Sequence, residues 1–357
     1  MKRICFFIGS MNRPGGTERV TAIIANELAK KGYEVSILSS FEGDNPFFEL
    51  HPTIMIDEVY KHKVSMKENG VSLIRKIRKF VIKQKIDTLI VIDSIACVFT
   101  LPAMIGLNVK HVCWEHFNFN YNLGVKLRDI GRILAARYCD VVVTLTEEDK
   151  QLWINGLSKI SAKLISIANP TPYENIETFP KLESKVILAM GRLTSQKGFD
   201  MLLQAWALVS KSHNEWILHI VGSGEEEPNL KSMAVDLNII ERVTFIPFTK
   251  DVEKYYQEAS FYCLSSRFEG FGMVILEAMS FGLPVISFDC ECGPTELIDN
   301  NINGFLVKSN DITALGQKLI EVMNMSNEKY IKLSQAAKMS SKKYYVSNLI
   351  DKWIEVI

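Results

Sequence analysis

The sequence of 357 residues has no apolar run long enough for a membrane-spanning helix, although 47% of its residues are hydrophobic. Residues 1–9 lack a signal-like cleavage site and are typical of a first strand. The seven cysteines fall mostly within apolar segments, and their spacing matches neither a disulfide framework nor a zinc motif. These absences favour a globular protein of the reducing cytoplasm.

Net charge is also missing, because 41 Lys and Arg residues balance 41 Asp and Glu residues. The two signs are nevertheless unevenly distributed: residues 1–170 carry 23 basic and 17 acidic side chains, and residues 171–357 carry 18 and 24. The segment 73–85 holds much of the basic excess, interleaved with apolar residues, at Arg75, Lys76, Arg78, Lys79, Lys83 and Lys85. This pattern predicts a basic amphipathic helix, which either contacts an anionic membrane or is the solvated outer face of an ordinary helix.

The length and the alternation of strands with helix-length segments predict an α/β protein of two doubly wound, Rossmann-like domains. The proline-rich polar stretch 168–180 is typical of a linker. We therefore expect domains at residues 1–170 and 171–340, and a C-terminal helix, 341–357, that packs back on the first domain. The predicted strands are 4–8, 35–38, 88–92, 110–114, 141–144, 186–190, 217–221, 243–246, 261–264, 285–288 and 305–307.

One stretch of the second half combines two carboxylates with a glycine-rich turn. It follows the predicted strand 261–264 and leads into a helix that is apolar on almost every side, so its carboxylate Glu277 needs a polar partner such as a ligand hydroxyl. Glu269 lies eight residues earlier, beside Gly270 and Gly272. The two glycines let backbone amides approach a ligand at the start of the helix, which suits oxygen-rich or anionic ligands.

A second loop, residues 191–198, follows the predicted strand 186–190 and carries Arg192 and Lys197 between two glycines. Two cations beside a helix N-terminus favour a diphosphate ligand over surface charges without a function.

In the first half, candidate residues follow two predicted strands. Gly15 and Gly16 place bare backbone amides after the first strand, where parallel sheets bind ligands, although a plain tight turn explains them equally well. Their loop lacks the GxGxxG spacing, so no nicotinamide cofactor is implied. His116 follows strand 110–114 and is the best placed of six histidines for proton transfer or hydroxyl binding, although a lone histidine is more often structural.

In combination these motifs resemble the retaining glycosyltransferases of family 4, which have the GT-B architecture of two Rossmann-like domains facing across a cleft. The resemblance covers essentially the whole chain. It rests on four motifs: GRLxxxKG with Arg192 and Lys197, the Glu-x7-Glu pair of Glu269 and Glu277 around GFG, the Gly15-Gly16 loop, and Glu115-His116. The runs 293–298 and 303–307 look typical of members that build bacterial surface polysaccharides such as O-antigen, capsule or exopolysaccharide.

For the nucleotide, the resemblance implies that Arg192 and Lys197 neutralise the donor diphosphate, which Gly15 and Gly16 approach from the opposite domain. Glu277 would hold the ribose hydroxyls. The chain also lacks an Asp-x-Asp motif, the carboxylate signature of metal-dependent nucleotide-sugar enzymes of the other major fold. We therefore expect an enzyme that needs neither a metal nor a cofactor.

For the sugar, the resemblance implies that Glu269 and His116 are catalytic and contact the donor sugar together with Gly270, Phe271 and Gly272. The new bond would form with retention of configuration, and the leaving phosphate would help to deprotonate the acceptor on the same face. Fixed cations support this chemistry because departure of a diphosphate builds negative charge in the transition state.

The resemblance further implies transfer of a hexose or N-acetylhexosamine from a nucleotide sugar, with UDP as the expected nucleotide, to a glycan. A polyprenyl-diphosphate-linked oligosaccharide would agree with the basic helix and with a position at the inner face of the cytoplasmic membrane, while a soluble acceptor stays open. Two other functions also stay open: a UDP-sugar epimerase of the same architecture, and a non-catalytic nucleotide-binding scaffold. No nucleic-acid partner is expected.

Overall fold

The computed structural model describes residues 2–210 and 213–357, with the side chain of residue 67 left out. The chain forms two compact units. The first consists of Met1–Pro172 and Val346–Ile357, and the second of Tyr173–Tyr345. Each is built around a parallel sheet, which confirms the predicted α/β class.

The first unit begins as a βαβ unit and continues the alternation of strands and helices. Its elements up to residue 172 are β1 (Arg3–Ile8), α1 (Gly16–Lys30), β2 (Glu34–Phe41), β3 (Met55–Tyr60), α2 (Met66–Gln84), β4 (Thr88–Ile92), α3 (Cys97–Met104), β5 (Lys110–Trp114), α4 (Lys126–Tyr138), β6 (Val141–Thr144), α5 (Glu147–Gly156) and β7 (Lys163–Ser166). Within the described residues the strands pair in parallel in the order β3-β2-β1-β4-β5-β6-β7. Every residue of the central strand β4 is buried, because helices cover both faces of such a sheet.

The second unit repeats this organisation. Its elements are β8 (Val186–Met190), α6 (Phe199–Val209), β9 (Ile217–Val221), α7 (Glu227–Asp236), β10 (Val243–Ile246), α8 (Glu253–Glu258), β11 (Phe261–Leu264), α9 (Met273–Ser280), β12 (Val285–Asp289), α10 (Pro294–Leu297), β13 (Gly304–Lys308), α11 (Ile312–Met323) and α12 (Asn327–Ser341). The strand order is β10-β9-β8-β11-β12-β13, so the winding direction reverses between β8 and β11. Doubly wound sheets bind ligands at the carboxyl ends of the strands at this switch point.

The last helix, α13 (Val346–Val356), belongs to the first unit although it follows the second unit in sequence. Its Trp353 is fully buried, and the ring lies 4.5 Å from the ring of Trp114 at the end of β5, edge to face. Lys2 Nζ donates a hydrogen bond of 2.9 Å to the carbonyl of Ile357. An aromatic pair of this kind stabilises a fold by about 0.5–1.5 kcal/mol beyond the area that it buries.

The sequence prediction missed two strands among the described residues, and both lie at an edge of the first sheet. In β3, Met55 and Ile56 are more than a third exposed, so no buried face repeats every second residue. The strand β7 is four residues long and has no buried residue. Edge strands of this kind form because the neighbouring strand has unpaired backbone N–H and C=O groups with which they can form hydrogen bonds. A pattern of hydrophobic residues does not reveal such pairing.

Residues 73–84 of the basic segment lie in α2, which begins earlier than predicted, at Met66, and Lys85 is the C-cap residue that follows the helix. Leu73, Ile77 and Val81 are buried on its inner face. Among the described helices, none combines the length and the hydropathy that a bilayer crossing requires.

Candidate active site

The loops that follow β8 and β11 meet at the switch point of the second sheet and bring Lys197 and Glu269 together. Lys197 Nζ lies 2.7 Å from Glu269 Oε1, and Ser266 Oγ donates to the same oxygen at 2.6 Å. The side chain of Glu269 is only 8% exposed. A carboxylate so buried requires charge and hydrogen-bond compensation, which the lysine and the serine supply.

Gly198 makes this approach of the two loops feasible. It is the N-cap residue of α6, with φ +63°, and a Cβ atom there would lie 2.1 Å from the carbonyl oxygen of Ser265. Two side-chain-to-backbone hydrogen bonds then join the loops: Ser265 Oγ donates to the Lys197 carbonyl at 3.0 Å, and Gln196 Nε2 donates to the Phe268 carbonyl at 3.1 Å. The position of Lys197 is therefore fixed by its backbone as well as by Glu269.

A second ion pair, which the sequence analysis did not identify, fastens the same loops. Arg267 binds Asp200 through two hydrogen bonds of 2.8 and 2.6 Å, and also donates to the Ser195 carbonyl at 2.7 Å. These hydrogen bonds from Arg267 lower the pKa of the Asp200 carboxyl. Arg267 lies two residues before Glu269 in the sequence, but only the fold brings it to Asp200, in the first turn of α6.

Arg192 is exposed, and its side chain forms no hydrogen bond or ion pair with the described residues. The loop after β9 packs directly against the backbone on both sides of Arg192. A Cβ atom at Gly222 would lie 1.9 Å from the Gly191 carbonyl oxygen, and a Cβ atom at Gly224 would lie 2.3 Å from the Leu193 carbonyl oxygen. The guanidinium therefore extends from a rigid turn and is available to an anion.

Glu277 lies on α9 and is 8% exposed. A carboxylate so buried requires polar partners. One of them is Tyr256, whose hydroxyl donates a hydrogen bond of 2.8 Å to Glu277 Oε2. Tyr256 is itself buried and stacked on Phe281, with ring centroids 5.2 Å apart. Burial and the Glu277 carboxylate raise the pKa of Tyr256, so the phenol stays protonated and orients the carboxylate.

The turn from Gly270 to Gly272 begins α9. Gly272 is the N-cap at φ +84°, and as a glycine it has no side chain that could accept hydrogen bonds from the first amides of the helix. Phe271 is 2% exposed, and Gly293 packs on its backbone so closely that a Cβ atom there would lie 2.5 Å from the Phe271 carbonyl oxygen. The start of α9 thus presents amides next to Glu269 on a well-supported turn.

In the first unit, Glu115 holds the loop that carries His116. Its Oε1 accepts the backbone N–H groups of His116 and Phe117, each at 3.0 Å, and its Oε2 accepts the Ser94 hydroxyl at 2.5 Å. Arg132 Nε lies 3.5 Å from the same Oε2. Burial raises the pKa of Glu115, and the nearby Asp93 raises it further, while Arg132 opposes both. Glu115 is a positioning residue for this loop, a role that its sequence position alone did not indicate.

The ring of His116 lies 4.5 Å from that of Trp114. Its Nε2 atom is buried and has no hydrogen-bond partner within the described part of the chain. Burial lowers the pKa of His116 to about 3, so the imidazole is neutral at neutral pH. Because a buried polar atom without a partner costs about 1–3 kcal/mol, this nitrogen is suited to a polar group of a ligand.

Gly15 and Gly16 lie at the start of α1, with Gly15 as the N-cap. A Cβ atom at Gly15 would lie 2.1 Å from Glu18 Oε2, so glycine allows that carboxylate to fold back over the first turn of the helix. These residues and His116 belong to the first unit, and the other candidates belong to the second.

Two family models match this chain and cover most of both units. The model for Glycosyltransferase Family 4 matches residues 14–170, and that for Glycosyl transferases group 1 matches residues 174–340. An uncharacterized glycosyltransferase of Haemophilus influenzae is 42% identical over 99% of each chain. The amylovoran biosynthesis glycosyltransferase AmsD of Erwinia amylovora is 27% identical over the whole of both chains. The alpha-1,4-N-acetyl-D-galactosaminyltransferase of Campylobacter jejuni that acts on GalNAc-alpha-(1->4)-GalNAc-alpha-(1->3)-diNAcBac-PP-undecaprenol is 28% identical, covering 100% of this chain and 98% of the relative.

Solved structures show the same fold at lower identity. The crystal structure of TarM superposes with a TM-score of 0.84 at 15% identity, covering 100% of this chain and 98% of that one. The apo form of the lipopolysaccharide outer core galactosyltransferase WaaB superposes with a TM-score of 0.79 at 21% identity, covering 99% and 98%. The chain therefore belongs to the family 4 glycosyltransferases and has the GT-B fold of two Rossmann-like domains.

Proposed function

We propose that this glycosyltransferase moves a hexose or N-acetylhexosamine from a UDP-linked donor to a glycan acceptor, with retention of configuration, during the synthesis of a bacterial surface polysaccharide. This function is supported above all by the Lys197–Glu269 pair, together with the exposed Arg192 in the same loop as Lys197, at the switch point of the second sheet. A ligand in which a diphosphate is joined to a polyhydroxyl group fits such a site, because the cations bind the diphosphate and the carboxylate accepts hydrogen bonds from the hydroxyl groups.

Arg192 and Lys197 bind the diphosphate in this proposal. When the bond between the sugar C1 atom and the phosphate oxygen breaks, negative charge grows on the leaving diphosphate, and both cations stabilise it. A bond forms from the acceptor oxygen to C1 on the same face, and the acceptor proton passes to the departing phosphate oxygen. Two fixed positive charges at the leaving group supply the compensation that a divalent cation supplies elsewhere, so we propose transfer without a catalytic metal.

Recognition of the donor involves carboxylates of the second unit. Glu277, oriented by Tyr256, accepts hydrogen bonds from the two ribose hydroxyls. Glu269 accepts one from the donor sugar, next to the amides of Gly270, Phe271 and Gly272. In the first unit, the unpartnered Nε2 atom of His116 contacts a hydroxyl of the donor sugar, and the amides of Gly15 and Gly16 approach the phosphates.

For the acceptor we propose a polyprenyl-diphosphate-linked oligosaccharide at the inner face of the cytoplasmic membrane. The Campylobacter jejuni relative is named for an undecaprenol-linked acceptor, and the Erwinia amylovora relative is named for the biosynthesis of amylovoran. The exposed basic face of α2 supports contact with anionic lipid.

The decisive experiment combines donor binding with transfer. A panel of nucleotides and nucleotide sugars is screened by thermal shift, and we expect UDP and one UDP-sugar to raise the melting temperature. The selected donor is then incubated with lipid-linked acceptors, and the anomeric configuration of the product is determined by NMR. Retention is expected, and an inverted product would contradict the proposed mechanism.

Two controls separate the competing functions. Lys197→Ala is expected to lower transfer by about 10²–10³-fold, whereas Lys329→Ala, at an exposed lysine of the same unit, leaves it unchanged. Near-normal transfer by Lys197→Ala would contradict the diphosphate assignment. Conversion of the donor into another UDP-sugar without an acceptor would indicate an epimerase, and UDP binding without turnover of any donor would indicate a scaffold.

A further inference from the structure

The core of the first unit contains a group of soft ligand atoms that the proposed transfer does not use. Cys97 begins α3, His111 lies on β5, and Cys139 follows the last residue of α4. All three are buried, and one ligand atom from each lies within 4.8 Å of the others. Cys139 Sγ is 3.1 Å from His111 Nδ1 and 4.0 Å from Cys97 Sγ.

We propose that Cys97, His111 and Cys139 bind a zinc-class divalent cation that stabilises the first unit. Zinc bonds of about 2.3 Å to sulfur and 2.0–2.1 Å to nitrogen place two tetrahedral sulfur ligands roughly 3.8 Å apart, and a sulfur and a nitrogen roughly 3.6 Å apart. The observed separations of 4.0 and 3.1 Å lie within about half an ångström of these values, and the ligand atoms of Cys97 and His111 lie within 4.8 Å of each other. Side-chain rotations therefore suffice to bring the three atoms to zinc-bonding distances.

The hydrogen bonds around His111 fix the tautomer that binds a metal. The Thr100 hydroxyl donates to the Ala96 carbonyl at 3.2 Å, so its oxygen accepts from His111 Nε2 at 2.9 Å. Nδ1 is then the nitrogen with the lone pair, and it faces Cys139. The His111 backbone N–H also donates to Asp140 Oδ2 at 2.7 Å. An outer hydrogen bond to the second ring nitrogen is the usual support of a histidine ligand.

The charge balance also suits a buried site. Binding replaces the thiol protons of Cys97 and Cys139, which leave to solvent, and a divalent cation with two thiolates and a neutral imidazole has no net charge. Cys113 lies two residues after His111 on β5, so its side chain is on the same face of the strand. It is not included among the proposed ligands, because a third thiolate would give the buried site a net negative charge.

The sequence did not reveal this group because its members are far apart in the chain. Residues 97, 111 and 139 come from three different elements, so this group contains none of the close cysteine pairs of a zinc motif. Only the packing of α3 and the end of α4 against β5 brings them together. The cation would act on folding, independently of the transfer reaction.

The test uses the purified full-length protein in a reducing buffer. We expect about one zinc per chain by mass spectrometry after addition of zinc and removal of the excess. Replacement by cobalt should give thiolate-to-cobalt charge-transfer absorption, which reports sulfur ligation directly. A chelator should lower the melting temperature, and zinc should restore it.

Variants assign the ligands. Cys97→Ser and Cys139→Ser should each lose the cobalt absorption, while Cys263→Ser, at a buried free cysteine of the second unit, should keep it. If a variant that lacks one of these cysteines does not fold, the cobalt spectrum of the wild type still shows whether sulfur binds the metal. A wild type that retains no zinc and gives no charge-transfer band would overturn the proposal, as would a Cys97–Cys139 disulfide in the native protein.

Discussion

The ammonium group of Lys197 lies 2.7 Å from Oε1 of Glu269 in the second unit. The lysine that we assign to the donor diphosphate is therefore already paired with the carboxylate that we assign to the donor sugar. An incoming diphosphate must share Lys197 with Glu269, so the recognition of the two halves of the donor is coupled. Ser266, which donates to the same oxygen at 2.6 Å, keeps Glu269 in place while the lysine is shared.

Lys197→Met should destabilise the second unit as well as impair transfer, because it leaves the buried Glu269 carboxylate without its cation. We expect a loss of roughly 1–3 kcal/mol in the free energy of unfolding, less than for a fully buried pair because Lys197 is 19% exposed. Adding Glu269→Gln should recover most of that loss without recovering transfer. Urea unfolding of both single variants and the double variant measures the coupling, and additive losses would contradict a direct interaction.

Glu277→Gln should weaken UDP binding while the protein stays folded, since the amide oxygen can still accept from Tyr256. Losing hydrogen bonds to a charged acceptor should raise the dissociation constant about 10- to 100-fold, measured by titration calorimetry. The matched control is 2′,3′-dideoxy-UDP, which lacks both ribose hydroxyls. Wild type and variant should bind it equally, and a difference between them would argue against the ribose assignment.

His116→Gln should lower the turnover rate about 10- to 100-fold with little change in UDP affinity, because one hydrogen bond to the sugar is lost. The pKa of His116, lowered to about 3 by burial, adds a second expectation. The imidazole is neutral throughout pH 5–8, so the ratio of wild-type to variant rates should be constant over that range. A sigmoidal change in this ratio near pH 6.5 would show that His116 titrates there.

The fold was largely predictable, because each central strand is an apolar run of four or five residues bounded by turns. Such a run is buried wherever it lies in a doubly wound sheet, so its sequence carries its structure. The edge strands β3 and β7 were not predictable, since exposure leaves them no apolar pattern. The contact between Trp353 and Trp114 could not be predicted from local sequence patterns either, because the two residues are more than two hundred positions apart in the chain.

In the candidate site, the sequence identified side chains by type and loop position, and the fold supplied their partners. Glu277 could be recognised as a buried carboxylate, but Tyr256 lies on another helix and has no motif of its own. Arg267 and Asp200 are ordinary charges until the two loops meet. Partner identity depends on which elements are adjacent, and local sequence does not encode that directly.

Asp149 should make the stability of the first unit depend on pH. Its Oδ1 accepts the Phe119 N–H at 2.7 Å, and burial raises its pKa from 3.8 to about 7. The folded state thus holds this proton more tightly than the unfolded state, so the stabilisation is complete below pH 4 and is lost as the pH rises towards 7. Asp149→Asn mimics the protonated form and should be more stable than the wild type at pH 8, by on the order of 2–4 kcal/mol. Unfolding at pH 4 and pH 8 checks this, and an equal difference at both values would refute it.

The outer face of α2 combines cations with exposed apolar side chains. Val71 and Ile82 are 63% and 53% exposed, and Arg75, Lys79 and Lys83 are exposed around them. This composition suits insertion into the headgroup region of an anionic membrane.

Two other basic residues of α2 have structural contacts. Arg78 donates to the carbonyls of Ala103 and Ile105 at 2.9 and 2.7 Å, and Lys76 lies 4.0 Å from the ring centre of Tyr60. Replacing either would disturb packing, so a test of membrane contact should leave both unchanged.

Reversing the charge of Arg75, Lys79 and Lys83 to Glu should therefore lower the partition of the protein to vesicles that contain phosphatidylglycerol by 100-fold or more, since each cation near such a surface contributes about 1 kcal/mol. Transfer to a soluble acceptor should be unaffected, because the substitutions lie outside the proposed donor site. The matched control reverses three exposed lysines of the second unit, Lys308, Lys329 and Lys343, which changes the net charge equally. Equal loss of partition in both triple variants would mean that overall charge, and not the face of α2, determines binding. Unchanged partition in the α2 variant would remove the basis for membrane contact through this helix.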